Sequence, residues 1–332
     1  MHPTARPAVL LAAIIAGGNS FAVPFTIEGP LTAISSSGLT CNGVQVVTDA
    51  ATVYSTPTGV VSQAKLLSTT PFPGNPLNSP AGQSAFIGGT CIVEGEDLPT
   101  TGRLASTVFV EIRENVLLGP TTSQSPFSIM GVQIVLLTTQ NEPVGRILAG
   151  PPVNAQGFEV DLATVPLNDE SSAEGYMGSD GKFYAHAVET SAGDPKVKPT
   201  QPESRISRAQ SDTVNATTVK LEVRGSCSWL TPPTGAARTQ PVLVNLDNGV
   251  GTDSNPIWVN PTTRAESTPA SNQSNVTCTE DLATPGFGNF RYRLDRYTFT
   301  RAAPSLARAR VASPSSATAA YPWSPTFTMT VR

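Results

Sequence analysis

Thirty prolines and twenty-seven glycines punctuate this chain of 332 residues, and a backbone broken that often cannot build long helices. Between the breaks the residues alternate. In "STVFVEI" (106–112), "KFYAHAVET" (182–190) and "NFRYRL" (289–294) every second side chain falls on one face, which is the period of a β-strand. Hydrophobic residues make up 39%, enough for packed cores, so a charged fraction of only 14% does not make the chain disordered. The sequence predicts an all-β protein.

Several stretches are written twice. "EDLPTTG" (96–102) returns as "EDLATPG" (280–286), "GVQVV" (43–47) as "GVQIV" (131–135), and "VEGEDLPTTGRLASTVFVEI" (93–112) as "AEGYMGSDGKFYAHAVET" (173–190). The longer echoes run Glu–Gly, a turn closed by Gly102 or Gly181, then an alternating strand, the order of a hairpin. The repeats divide the chain into β unit 1 (23–115), β unit 2 (116–192) and β unit 3 (214–301). A polar, proline-bearing stretch at 193–213 reads as a linker, and an Ala/Ser/Pro-rich tail at 302–332 ends in a short strand.

Unit 1 offers five strands, "FTIEGPLTAI", "LTCNGVQVVTD", "ATVY", "GTCIVEG" and "STVFVEI", with a long excursion (55–86) after the third. Within it, "VVSQAKLL" (60–67) sets Val60, Val61, Ala64 and Leu67 at helical spacing. Five strands with a short helix between the third and fourth outline an OB-fold barrel. A β-sandwich meets the same strand spacing. The expectation is two or three small OB-like β-barrel or β-sandwich units in tandem, with a C-terminal extension.

On "AEGYMGSDGKFYAHAVET" above all, the chain resembles the OB-like β-barrel repeat domains of bacterial secreted and cell-surface proteins of unknown function. In those an "EG–turn–Gly–strand" hairpin closes each module. The resemblance carries no catalytic motif and implies a fold and a cell-surface setting.

Residues 1–22 read as a secretory signal peptide. Arg6 precedes the apolar "AVLLAAIIAGG" (8–18), and Ser20 and Ala22 take the −3 and −1 positions of a cleavage site. No later stretch reaches the ~20 apolar residues of a transmembrane helix. The expected location is outside the cell, at its surface, or in a periplasm. Four cysteines in such a compartment should pair. Cys41 and Cys91 are 50 residues apart and Cys227 and Cys278 are 51 apart, while the two sets are offset by 186 and 187, close to the 184 between the heptapeptides. Of three possible connectivities the repeat favours Cys41–Cys91 and Cys227–Cys278, each closing a loop worth about 3–4 kcal/mol.

Groups suited to catalysis are sparse. Beyond the signal segment His186 is the one histidine, and no GxSxG accompanies it. One imidazole without a CxxC leaves zinc short of ligands, so neither metal nor cofactor is expected. The clusters Glu94–Glu96–Asp97 and Asp169–Glu170–Glu174 contain the two carboxylates a glycoside hydrolase needs. They fall in the recurring turns, where acids serve solvation and local hydrogen bonding. No catalytic residue is assigned.

Charge is split along the chain. Residues 1–284 carry fourteen Lys/Arg against twenty-four Asp/Glu, a net of −10; residues 285–332 carry seven Arg against one Asp, a net of +6. The strand "FRYRLDRYTF" (290–299) interleaves Arg291, Arg293 and Arg296 with Tyr292 and Tyr297. OB barrels bind oligosaccharides and oligonucleotides on such strands, and export with an acidic body argues against nucleic acid. Its parity slips between Leu294 and Tyr297, which predicts a β-bulge near Asp295.

These features favour a secreted, non-enzymatic structural or interaction protein whose partners are copies of itself or other surface proteins. The terminal "TFTMTVR" (326–332), with Phe327, Met329 and Val331 alternating, is the expected assembly strand, added to a neighbour's sheet edge. Packing along its own chain is the equal alternative. The first rival function is a carbohydrate- or polyanion-binding module on strand 290–301. The second is a carboxylate-based glycoside hydrolase.

Overall fold

Alternation decides the architecture. The computed structural model describes residues 22–99, 102–191, 201–230, 235–247, 257–262, 274–282, 286–299, 304–312, 321 and 323–331, and they form almost nothing but strands. All but the last residue of the signal-peptide segment lies outside the described residues. The fold is all-β, with a closed five-strand barrel and two further curled sheets.

The first sheet contains β1 (Val23–Ser35), β2 (Gly38–Cys41), β3 (Val44–Val47), β4 (Val53–Thr56), β5 (Gly59–Val61), β6 (Thr90–Leu98) and β7 (Gly102–Glu111). Their order is β3-β2-β1-β6-β7-β4-β5, and β3 also pairs β7 through Val47 and Leu104, which closes five of them into the barrel. The expected single strand "LTCNGVQVVTD" is in fact a hairpin. Asn42 and Gly43 take φ of 50° and 76° between the paired Cys41 and Val44. Asn-Gly is the pair best suited to a two-residue turn with both φ positive. The only α-helix among the described residues, α1 (Gln63–Leu66), falls in the predicted excursion. Its apolar face differs from the expected one: Leu66 is buried, while Val60 and Val61 belong to β5 and Val60 is 77% exposed.

The second sheet contains β8 (Asn115–Gln124), β9 (Phe127–Ile129), β10 (Val132–Leu136), β11 (Val153–Asn154), β12 (Glu170–Met177) and β13 (Phe183–Thr190). The order is β10-β9-β8-β12-β13-β11, with β10 also pairing β13. Here the echo of "GVQVV" acquires a cause. Met130 and Gly131 form a second two-residue turn, with φ of 50° and 82°, between the paired Ile129 and Val132. The Glu–Gly echo has one as well. A Cβ on Gly95 would overlap the carbonyl oxygen of Leu104, and one on Gly175 would overlap that of Tyr184. Both positions need glycine because a neighbouring strand's backbone comes too close for any side chain.

The third sheet contains β14 (Ser204–Asn215), β15 (Thr218–Ser228), β16 (Thr239–Asp247), β17 (Trp258–Val259), β18 (Val276–Glu280), β19 (Phe287–Thr298), β20 (Leu306–Val311), β21 (Phe327–Thr328) and β22 (Thr330–Val331). Its path is β21-β20-β16-β18-β19-β15-β14-β22, with β17 beside β16. Its core includes Val223, Val244, Leu246, Phe290 and Tyr292. Two expectations are corrected. The stretch read as a linker is strand from Ser204 onward, and the tail contributes β20 ahead of the expected terminal strand, which forms as β21 and β22.

By contacts the chain forms two compact units. One comprises residues up to Asn115 with Leu136–Ala149 and Gly175–His186; the other comprises Val116–Val135, Gly150–Glu174 and the remainder from Ala187.

Both disulfides are formed as the spacing predicts, Cys41–Cys91 and Cys227–Cys278. They share a plan. Cys41 and Cys91 flank β1, and Cys227 and Cys278 flank β19; the strand between presents a glycine to one cysteine, Gly29 to Cys91 and Gly288 to Cys227.

The two heptapeptides likewise sit at one kind of place, between β6 and β7 and between β18 and β19, which are antiparallel pairs. Their acids differ. Glu96 is exposed, whereas Glu280 is buried and accepts from Arg238 Nε (2.7 Å), Arg238 Nη2 (2.8 Å) and the Gly286 N–H (3.0 Å). Hydrogen bonding from Arg238, foremost, drives the Glu280 carboxyl down to about 2. A carboxyl held below its ordinary 4.5 contributes stability in full above that pH and loses it as the pH falls towards 2. Glu280→Gln should therefore flatten the decline of the thermal midpoint across that window. Parallel melting curves with equal slopes would contradict this role.

Candidate functional site

The arginine–tyrosine strand was the first candidate, and β19 separates its two chemistries. The predicted bulge is present: Val219 pairs Tyr297 and Leu221 pairs Leu294, so Asp295 and Arg296 stand opposite the single residue Lys220. Tyr292 and Tyr297 point into the core, 4% and 6% exposed, while Arg291, Arg293 and Arg296 face outward. The Tyr292 hydroxyl lies 3.0 Å from Thr262 Oγ1, and burial pushes its pKa up to about 12. Arg291 is bound to Glu222 at 2.5 Å, which Arg224 also contacts, and Arg293 to Asp295 at 3.0 Å. Hydrogen bonding from Arg291 is the main cause holding the Glu222 carboxyl below its ordinary range. Alternation is the reason for the split, because a strand cannot show neighbouring residues on one face. The aromatic half of the expected platform is thus unavailable, and what remains is a solvated arginine face on which Arg291 and Arg293 are ion-paired.

The second candidate was the terminal strand. Leu306 and Ala307 of β20 pair with Thr328 and Phe327 of β21 in antiparallel fashion. Two residues on, Gln210 and Ser211 of β14 pair with Thr330 and Val331 of β22 in parallel. Between them Met329 donates its N–H to the Ser305 carbonyl (2.6 Å) and buries its side chain in the core, 4% exposed. Phe327 packs against the same core. Both ends of the third sheet therefore rest on one five-residue segment. The strand lies along its own chain.

His186, the histidine of the alternating strand, lies on β13. It is 8% exposed, and its Nε2 lies 3.0 Å from Glu114 Oε1. Phe183 and Ala185, which alternation puts on the other face, are buried and Ala187 is half-buried, so β13 is covered on both sides. Glu111 stands behind this pair. Its carboxyl is raised above its ordinary value by burial, then by a hydrogen bond and repulsion from Glu114. Imidazole and carboxylate are also donor types a divalent cation takes. Yet the adjoining cleft, lined by Pro57, Ile112, Ile147 and Tyr176, has a volume of about 10 Å³, room for one water at most. Two carboxyls joined by a hydrogen bond are also closer than the ~5–9.5 Å that a glycosidic bond requires between its acid and its partner. The cluster is built to satisfy itself.

Compared with known proteins, the chain matches no family model, and no curated protein sequence matches it.

Proposed function

We propose a non-enzymatic interaction protein of the cell exterior, built from OB-like β-modules, that assembles by exchanging its C-terminal strand. The observation that carries this reading is the seam at 327–331. That segment is held by two residue pairs on each side, yet its Met329 fills a core position. A second copy offers the same two strand edges and the same core pocket, so exchange costs few contacts and regains all of them. The net −10 of residues 1–284 against the net +6 of residues 285–332 favours approach of one copy's tail to another's body. Two disulfides suit an oxidising compartment. No helix among the described residues is long and apolar enough to cross a membrane.

Removing 326–332 from the mature chain should abolish concentration-dependent growth in light scattering. An excess of a synthetic 321–332 peptide should block growth of the intact protein by occupying the seam. An intact protein that stays monomeric, or a truncated one that grows equally, would end this reading.

A further inference from the structure

The outer face of β14, β15 and β19 carries more positive charge than a solvated sheet requires. Alternation sends Ala209, Val223 and Tyr292 into the core and leaves their neighbours outside. In one row across the three strands Arg208 pairs Arg224 and Arg224 pairs Arg291, so three guanidinium side chains start about 4.8 Å apart. The next row sets Gln210, Glu222 and Arg293 side by side. Beyond it Lys220 pairs Asp212 and faces the bulge of Asp295 and Arg296. Six cations thus share the face with three carboxylates, a net of +3 on a chain whose total is −4.

These groups reach solvent. The side chains of Arg224, Arg291 and Arg293 are 44%, 52% and 56% exposed, and Arg208 is exposed as well. Their compensation is incomplete. Glu222 alone serves both Arg224 and Arg291. Arg208 Nη2 donates to the neutral Gln210 Oε1 (2.6 Å) and meets no carboxylate among the described residues. Like charges directly opposite on neighbouring strands are destabilising, and glutamine at 208 and 224 would solvate the face without that cost. Three arginines in one row therefore serve something other than the sheet itself.

From this arrangement we infer a docking face for a carboxylated polysaccharide, held by the row Arg208, Arg224 and Arg291. Each guanidinium presents an N–H edge that matches a carboxylate through two parallel hydrogen bonds. Beside the row lie the acceptors Gln210, Asp212 and Glu222. They suit the hydroxyls of a sugar chain, whereas the two acids repel an unbroken run of phosphates. A single-stranded nucleic acid also needs aromatic rings to stack on, and Tyr292 and Tyr297 are turned inward. The face stands independently of strand exchange, because its groups belong to one copy.

The full mature protein would be passed over immobilised polygalacturonate, over its fully methyl-esterified form, and over oligothymidylate. Saturable binding to polygalacturonate alone is expected, weakening steeply with salt. Arg208→Gln combined with Arg224→Gln should weaken it about tenfold or more, the scale of one or two lost charged hydrogen bonds. Lys182→Gln, which removes an exposed cation between β12 and β13, should change nothing. Arg208→Gln alone should weaken binding without lowering the thermal midpoint, because it removes a like charge and breaks no ion pair. The proposal is overturned by absence of saturable binding, by undiminished binding in the double variant, or by an equal loss in Lys182→Gln. It is overturned too if the ester or oligothymidylate binds as tightly as polygalacturonate. A lowered midpoint in Arg208→Gln would also overturn it, by giving that side chain a structural role.

Discussion

Glu142→Ala should destabilise the protein by about 3–5 kcal/mol, the range for stranding one member of a buried ion pair. Glu142 and Arg146 are both 0% exposed. The carboxylate takes Arg146 Nε and Nη2 in two parallel bonds of 2.7 Å and also accepts from the Arg146 N–H at 3.2 Å. Arg146 Nη1 donates to the Thr70 carbonyl (2.7 Å), and its Cζ lies 3.6 Å from the Phe72 ring centroid. Remove the carboxylate and a full positive charge remains where no water reaches it. The pair as a whole is a different matter, because both charges were already desolvated at a cost. Replacing both by leucine should recover most of what either single change loses, a coupling readable from denaturant midpoints of the four proteins. A double variant as unstable as the singles would instead assign the effect to the Thr70 and Phe72 contacts.

The second large effect belongs to the disulfide in the third sheet. Cys227→Ala with Cys278→Ala should cost about 3–4 kcal/mol, since the bond closes a 51-residue loop and restricts the unfolded chain. Both cysteines are 0% exposed within the core that holds Val223, Val244 and Phe290. The loss should appear as a lowered urea midpoint under non-reducing conditions. An unchanged midpoint would mean that the denatured chain gains nothing from release of that loop.

The buried pair shows why a site can be invisible in sequence. Glu and Arg four apart read as a solvated helix-surface pair, but the backbone of "NEPVGR" (141–146) is turn rather than helix and folds both side chains inward. The missed strands have a comparable reason. β14 buries only Ser204, Ala209 and Ser211, so small and polar residues occupy its inward positions and no apolar stripe marks it. In β20 the inward residues are Ala307, Ala309 and Val311, and the bulkier alternation is of arginines on the other face. A reader of hydrophobic period sees neither. What was legible had local causes: the glycines of the Glu–Gly echo, the bulge after Leu294, and two cysteine pairs at one spacing.

Sequence alone thus determined the all-β class, the Glu–Gly hairpins and the disulfide pairing, because strand period, turn glycines and loop spacing act over a few residues or recur as a repeat. Which face each side chain finally occupies was decided only by the tertiary structure. The tyrosines of β19 went inward and its arginines outward, Met329 returned to its own core, and Arg308 and Asn245 came together across β16 and β20. These outcomes depend on the register between strands far apart in the chain. Burial there is set by what covers a face, and no local pattern records that.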